Sequence, residues 1–262
     1  MGLLPGLLLR FVVVLVYLFL LGPIVVVVVT SFSPSHSMAF PPAGFSMRWY
    51  GEFLRSDNFT AAFRFSLILG ISASVIATLI GFITAYAARR LMVRRGGVVQ
   101  SLAMLPLLIP HLLISISLLL ALNFIPLPDF AALLAGHVLI CTPFTVAGIT
   151  ASLDGVDAQL EAAAMTLGAS PLTALIEVVI PLVAPGVLSA FLFAFVVSFG
   201  DVYIALFLAG PGTTTLPIEI FSYVQWDSSP VIAAITTVQI MMILVLGLII
   251  ERLVGLRRIM RV

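Results

Sequence analysis

Six long apolar runs, set apart by short polar stretches, dominate the chain and fall at about 7–29, 65–88, 99–122, 130–153, 185–209 and 230–250. Each is close to the roughly 20 apolar residues that an α-helix needs to cross the hydrocarbon core of a bilayer. The first run is too long for a signal peptide and no small-residue cleavage site follows it directly, so it reads as a span. Gly22-Pro23 within it suggests a kink. The second run is laced with Ser66, Gly70, Ser72, Ser74, Thr78 and Gly81, small residues that let helices approach closely in lipid. The pattern predicts an all-α, polytopic membrane protein of six transmembrane helices, with residues 1–262 forming one transmembrane domain.

Composition agrees. Apolar residues make up 62% of the 262 positions and charged residues only 9%, which leaves too little charged surface to disperse a soluble domain. A net charge of +1 gives no support to nucleic-acid binding. The single cysteine, Cys141, excludes an intramolecular disulfide and a Cys-rich metal site, and reads as a small apolar filler.

Charge placement adds orientation. All twelve basic residues are arginines. Arg10 lies near the beginning of the chain, Arg89, Arg90, Arg94 and Arg95 lie between the second and third runs, and Arg252, Arg257, Arg258 and Arg261 follow the sixth. Only Arg48, Arg55 and Arg64 fall on the other side. The positive-inside rule therefore predicts that the N and C termini and the 89–97 loop are cytoplasmic. The first outside segment, about 31–58, carries Pro34 and Pro41-Pro42, which favour extended backbone, and Trp49 and Tyr50, which suit a membrane interface. A second outside loop carries Trp226. No inverted internal repeat is apparent, which weakens a secondary-transporter fold.

Residues 154–181, between the fourth and fifth runs, read as two short helices. Asp154 or Asp157 caps the first, in which Leu160, Ala163, Ala164 and Leu167 recur at helical spacing. Gly168 ends it in a left-handed conformation. Ser170-Pro171 then forms an N-cap with proline at the first helical position, and Pro181 is expected to stop the second helix. The small alanines would let this knob enter a groove on a partner protein; the other reading is an amphipathic loop helix lying on the membrane.

The stretch LEAAAMTLGASPLTALIEVVIPLVAPG resembles the EAA motif of ABC importer permeases, whose pattern is E-A-A, three residues, G, nine residues, I-x-L-P. Counting back from Gly168 sets the two alanines on Ala163 and Ala164, and the closing portion on Val178, Ile180 and Pro181. The acidic position then falls on Ala162, with Glu161 one residue early, which is about 100° of rotation on a helix. The segments FPPAGFSMRWYGEFL (40–54) and SFGDVYIALFLAGPGTTTLPIEIFSYV (198–224) are similar to the spermidine/putrescine permease family within that group. Where that family often carries paired acids after Ser-Phe, this chain has Gly200-Asp201.

The resemblance implies a type I ABC importer permease (MetI-like) fold in the bacterial inner membrane, forming half of a translocation path for a polyamine or a related cation. It implies no enzyme activity and no cofactor on this chain; ATP and Mg would sit on a homodimer of ABC ATPase subunits. A second, different permease chain, a periplasmic substrate-binding protein and the lipid bilayer would be the other partners. No G-x-x-x-x-G-K-[ST] phosphate loop occurs in the sequence, as this requires. Glu161, Ala162, Ala163, Ala164, Leu167, Gly168 and Pro181 are the ATPase-coupling candidates. Other cargoes remain open (an amino-acid derivative, an opine-like or a phosphonate compound), as does a secondary transporter or channel.

Polar residues near the spans are candidates for the substrate path. Asp201 would cost on the order of 2.5–3.5 kcal/mol at a bilayer centre, so it should face a cavity or a partner, or cap a neighbouring helix. Ser198, Tyr203, Asn123 and Thr142 are further candidates for the path. Glu219 and Tyr223, with Trp226 and Asp227, could form an acidic-aromatic rim that attracts ammonium groups, or could be interface anchors. His111 and His137 show no metal-ligand spacing and read as packing or hydrogen-bonding residues, and no catalytic residue or metal site is expected.

Overall fold

The computed structural model describes residues 3–92, 94–227 and 229–254. Arg257, Arg258 and Arg261, which entered the orientation argument, lie outside the described residues. Every regular element among those described is helical. In chain order these are α1 (Leu3–Thr30), α2 (Arg48–Arg55), α3 (Asp57–Tyr86) with a π-helical continuation Ala87–Leu91, and α4 (Gly96–Met104) with a 3-10 turn Leu105–Leu108. There follow α5 (His111–Leu122), α6 (Asp129–Asp154), α7 (Ala158–Thr166), and α8 (Pro171–Ala174) with a π-helical turn Leu175–Val179. The last are α9 (Ile180–Phe199), α10 (Tyr203–Leu208), α11 (Leu216–Val224) and α12 (Val231–Val254).

Among the described residues five helices are long and apolar enough to cross a membrane, or six if one bent pair counts as a span. That pair is 96–108 and 111–122, which meet at 96°. The apolar run at 99–122 is therefore not one straight helix. Pro110 has no amide to donate and it pushes Ile109 into the extended region (φ −102°, ψ 126°), so the helix stops and a new one starts at His111. The run at 185–209 is interrupted as well, since α9 closes at Phe199 with Gly200 as its C-cap.

The chain divides into two compact units. The smaller comprises residues 1–61 and 219–244. Within it the 31–46 segment is folded onto α2 by a fully buried Trp49, whose indole donates to the Ser33 carbonyl (2.7 Å). His36 meets that ring edge-on and the Arg48 guanidinium lies 4.3 Å from its centroid. Trp49 is thus the hub of this segment and not a membrane-interface anchor: its only polar atom already has a protein partner. Tyr50 shares a 2.7 Å hydrogen bond with Ser31, and Trp226 stands 91% exposed.

The larger unit comprises residues 62–218 and the described part of 245–262. In it α6 packs along α9, and α5 along α10. One core cluster joins Leu69, Ile114, Leu133, Ile140, Cys141 and Ile204; a second joins Ala85, Ile149, Leu153, Val179 and Val183. From residue 62 onward α3 buries Ser66, Ala73, Ser74, Ala77, Thr78 and Gly81 and turns Ile68, Ile71, Val75, Leu79 and Ile83 outward. This is the reverse of a soluble amphipathic helix, and it fits a chain whose solvent is lipid. A Cβ added to Gly81 would collide with Thr145 of α6, and one on Gly186 of α9 with Ser152. Close helix approach therefore depends on these glycines.

Candidate functional site

The knob is built by local caps. Asp157 is the N-cap of α7 and accepts a 2.9 Å hydrogen bond from the Gln159 amide. At the far end Gly168 adopts φ +97°, a conformation glycine takes without a Cβ penalty, while the Gly168 and Ala169 amides return to Met165 and Ala164 carbonyls. Ser170 then caps α8 by accepting from the Thr173 amide at 3.1 Å, with Pro171 at the first helical position.

Pro181 does not stop this second helix. The chain runs through α8 and the π-helical turn at 175–179 straight into α9, where Pro181 occupies the first turn. That proline sits where the hydrogen-bond pattern changes from π- to α-helical, a point at which the ladder is already interrupted and a missing amide is tolerated. The knob is accordingly one free helix, a glycine turn, and the extended leading end of a 29-residue span.

Most of α7 faces outward. Leu167, just past its end, is 89% exposed, and Leu160, Ala162, Ala163 and Met165 are exposed, with Ala164 half-buried. The only buried residue of α7 is the charged one, Glu161. Its Oε1 accepts a 2.5 Å hydrogen bond from the Tyr86 hydroxyl, and its Oε2 lies 3.5 Å from Arg90 Nε. Arg90 also donates from Nη2 to the Val156 carbonyl (2.9 Å), and Arg89 pairs with Asp154 at 2.8 Å. Ala162, the acidic position of the EAA pattern, is exposed. Tyr86, Arg89 and Arg90 were missed from sequence as part of this site. Both arginines count there as loop charges, and a tyrosine 75 residues before its partner leaves no local signal.

The other candidates separate into groups. Ser198, Asp201 and Tyr203 cluster where α9 gives way to α10. Asp201 is buried, and its Oδ2 accepts from the Ile204 amide at 2.7 Å, so it caps α10. Its Oδ1 lies 3.7 Å from His111 Nδ1 at the start of α5. Ser198 shares a 2.8 Å hydrogen bond with His137 Nδ1, and Tyr203 is half exposed. His137 thus serves as a hydrogen-bonding group, and the bend before His111 is what sets that imidazole beside Asp201. Thr142 donates to the Val138 carbonyl of its own helix (2.7 Å) and Asn123 is exposed at the end of α5, so neither joins this cluster through a side-chain bond.

In the smaller unit Glu219 and Tyr223 lie one helical turn apart on α11, both half-buried. The Tyr223 hydroxyl donates to Asp227 at 3.0 Å and its ring packs on Phe59. Burial and then that carboxylate raise its pKa above the ordinary tyrosine value. Among the described residues no group of three His, Cys, Asp or Glu side chains is placed to hold a metal ion.

The family described as binding-protein-dependent transport system inner membrane component matches residues 77–258. The spermidine/putrescine transport system permease protein PotC of Escherichia coli K12 is 32% identical over 88% of this chain and 88% of its own. The putrescine transport system permease protein PotI of the same strain is 35% identical, over 84% of this chain and 81% of its own. The fold is that of a chain in a bacterial ABC transporter involved in the import of the acidic polysaccharide alginate. That likeness has a TM-score of 0.72 at 14% identity, over 98% of this chain and 96% of that one.

Proposed function

This chain belongs to the family of binding-protein-dependent transport system inner membrane components, and from that premise we propose that it forms half of the path by which an ATP-driven importer carries a polyamine across the bacterial inner membrane. The observation that carries the mechanism is the exposed apex of the knob, with Leu167 89% exposed beside a glycine turn. An apolar side chain so displayed fits a cleft on another protein better than it fits water. In this reading residues 154–181 are the coupling loop, and Ala162, Ala163, Ala164, Leu167 and Gly168 enter a separate ATPase homodimer that holds ATP and Mg. Both termini and the 89–97 loop then face the cytoplasm. The chain itself holds no cofactor and binds no nucleic acid. A second, different permease chain completes the path, and a periplasmic binding protein delivers the cargo.

Closure of the ATPase dimer on ATP biases the permease from inward-open to outward-open, and hydrolysis reverses the bias. Cargo as a polyamine is supported by the likeness to PotC and PotI over more than four fifths of this chain. It is also supported by Asp201, a buried carboxylate that an ammonium group on the path would meet. The test is ATP hydrolysis by the reconstituted complex with its binding protein, across polyamines, amino acids and opine-like compounds. Putrescine or spermidine should stimulate it. Stimulation by another class alone would overturn the cargo, and uptake that persists with a catalytically dead ATPase would overturn the importer.

A further inference from the structure

Three points on the 154–161 stretch are tied to one turn at the end of α3. Asp154 meets Arg89, the Val156 carbonyl meets Arg90, and the Glu161 carboxylate meets both Arg90 and Tyr86. The Tyr86 ring is itself held flat against Phe82 of α3, with centroids 6.2 Å apart and planes within 7°. Both arginines lie in the π-helical continuation at 87–91, a form of helix frequent at functional sites. On α7 the usual allocation of residues is inverted. Most apolar side chains face outward and the one acidic side chain is the buried one, so the only buried side-chain attachment of α7 is a carboxylate.

We infer that Glu161 is a positioning residue that keys the knob to the π-helical end of α3, so that displacement of α7 is passed to α3 as well as along the chain to α6 and α9. The carboxylate therefore acts inside this chain and not on the ATPase. Its two oxygens are already engaged by Tyr86 and Arg90, and Ala162, the neighbour 100° away, faces outward in its stead. Without the carboxylate the Arg89–Asp154 and Arg90–Val156 contacts just before α7 would remain, but α7 would lose its own side-chain link to α3 and pass its displacement on less directly.

This inference rests on the proposed importer, and the experiment separates the two. The whole complex, with permease, ATPase and binding protein, is reconstituted with Tyr86→Phe, Glu161→Gln and the double variant, and polyamine taken up per ATP hydrolysed is measured. Co-purification of the ATPase is followed in parallel. The expected result is an about tenfold fall in uptake per ATP in each single variant, as for loss of one hydrogen bond to a charged group. The double variant should fall further than either, because a glutamine at 161 can still accept from Tyr86 and loses only the charge that faces Arg90, whereas Tyr86→Phe removes the hydroxyl donor. The ATPase should still co-purify with all three. Loss of the ATPase from the Glu161→Gln complex would instead put the carboxylate in the ATPase contact and overturn the inference. Wild-type uptake per ATP in Tyr86→Phe, which removes a single oxygen and leaves the helices intact, would overturn it equally. Failure of the unaltered chain to co-purify with any ATPase would strike the importer itself.

Discussion

Glu161 and Asp201 are both buried acids of the larger unit, yet their surroundings differ in kind. Glu161 meets a phenol from α3 and a guanidinium from its π-helical continuation. Asp201 turns one oxygen to the backbone amide of Ile204 and the other toward the His111 imidazole 3.7 Å away. The first carboxylate is compensated within the chain, by a hydrogen bond to one oxygen and a guanidinium 3.5 Å from the other. The second is held in place by a helix end, and its other oxygen lies beyond hydrogen-bond distance of the nearest imidazole. One arrangement suits a structural tie, the other a group that meets a passing cation.

Substitutions at three positions would sharpen or break this contrast. Glu161→Ala should have the largest effect, since it strands Arg90 in a nearly buried position; the cost is on the order of 3 kcal/mol. Thermal unfolding in detergent reads it, and a loss under 1 kcal/mol would mean that Arg90 finds another partner. Asp201→Ala should cost about 1 kcal/mol through the lost cap of α10, whereas Asp201→Asn should cost only a few tenths, because asparagine caps as well as aspartate. Polyamine uptake should fall about tenfold in both, as for one lost charge-assisted contact. Full uptake by Asp201→Asn would reduce the residue to a cap. Leu167→Asp should leave unfolding unchanged within about 0.5 kcal/mol, as for other exposed positions. It should nonetheless abolish co-purification with the ATPase, and retained binding would move the docking surface elsewhere.

How much was legible in the sequence depended on whether the deciding interaction was local. Asp157, Gly168 and Ser170-Pro171 act within four residues of themselves, and each does in the structure what its chemistry implies. Prolines inside apolar runs were less readable. Pro110 ends a helix, while Pro143 lies within α6 and Pro185 within α9 without breaking either. What differs is the company: α6 and α9 pack along one another, and that burial outweighs one lost hydrogen bond. Pro181 misled for a related reason, because the π-helical turn before it resets the hydrogen-bond pattern. The pairing of Tyr86 and Arg90 with Glu161, and of His111 with Asp201, joins residues 71 to 90 positions apart. No spacing rule reaches that far.

The inverted face of α3 has a consequence for how this protein tolerates change over evolutionary time. In a water-soluble enzyme large apolar residues are the constrained ones and small surface residues drift. Here Ile68, Ile71, Leu79 and Ile83 stand exposed on the chain, so where they face lipid they need only remain greasy and can interchange among Ile, Leu, Val and Phe. Gly81 has no such latitude: one added methyl group meets Thr145 at once. The lineage of this chain should therefore record its history in the bulky outward positions and its constraint in the smallest inward ones.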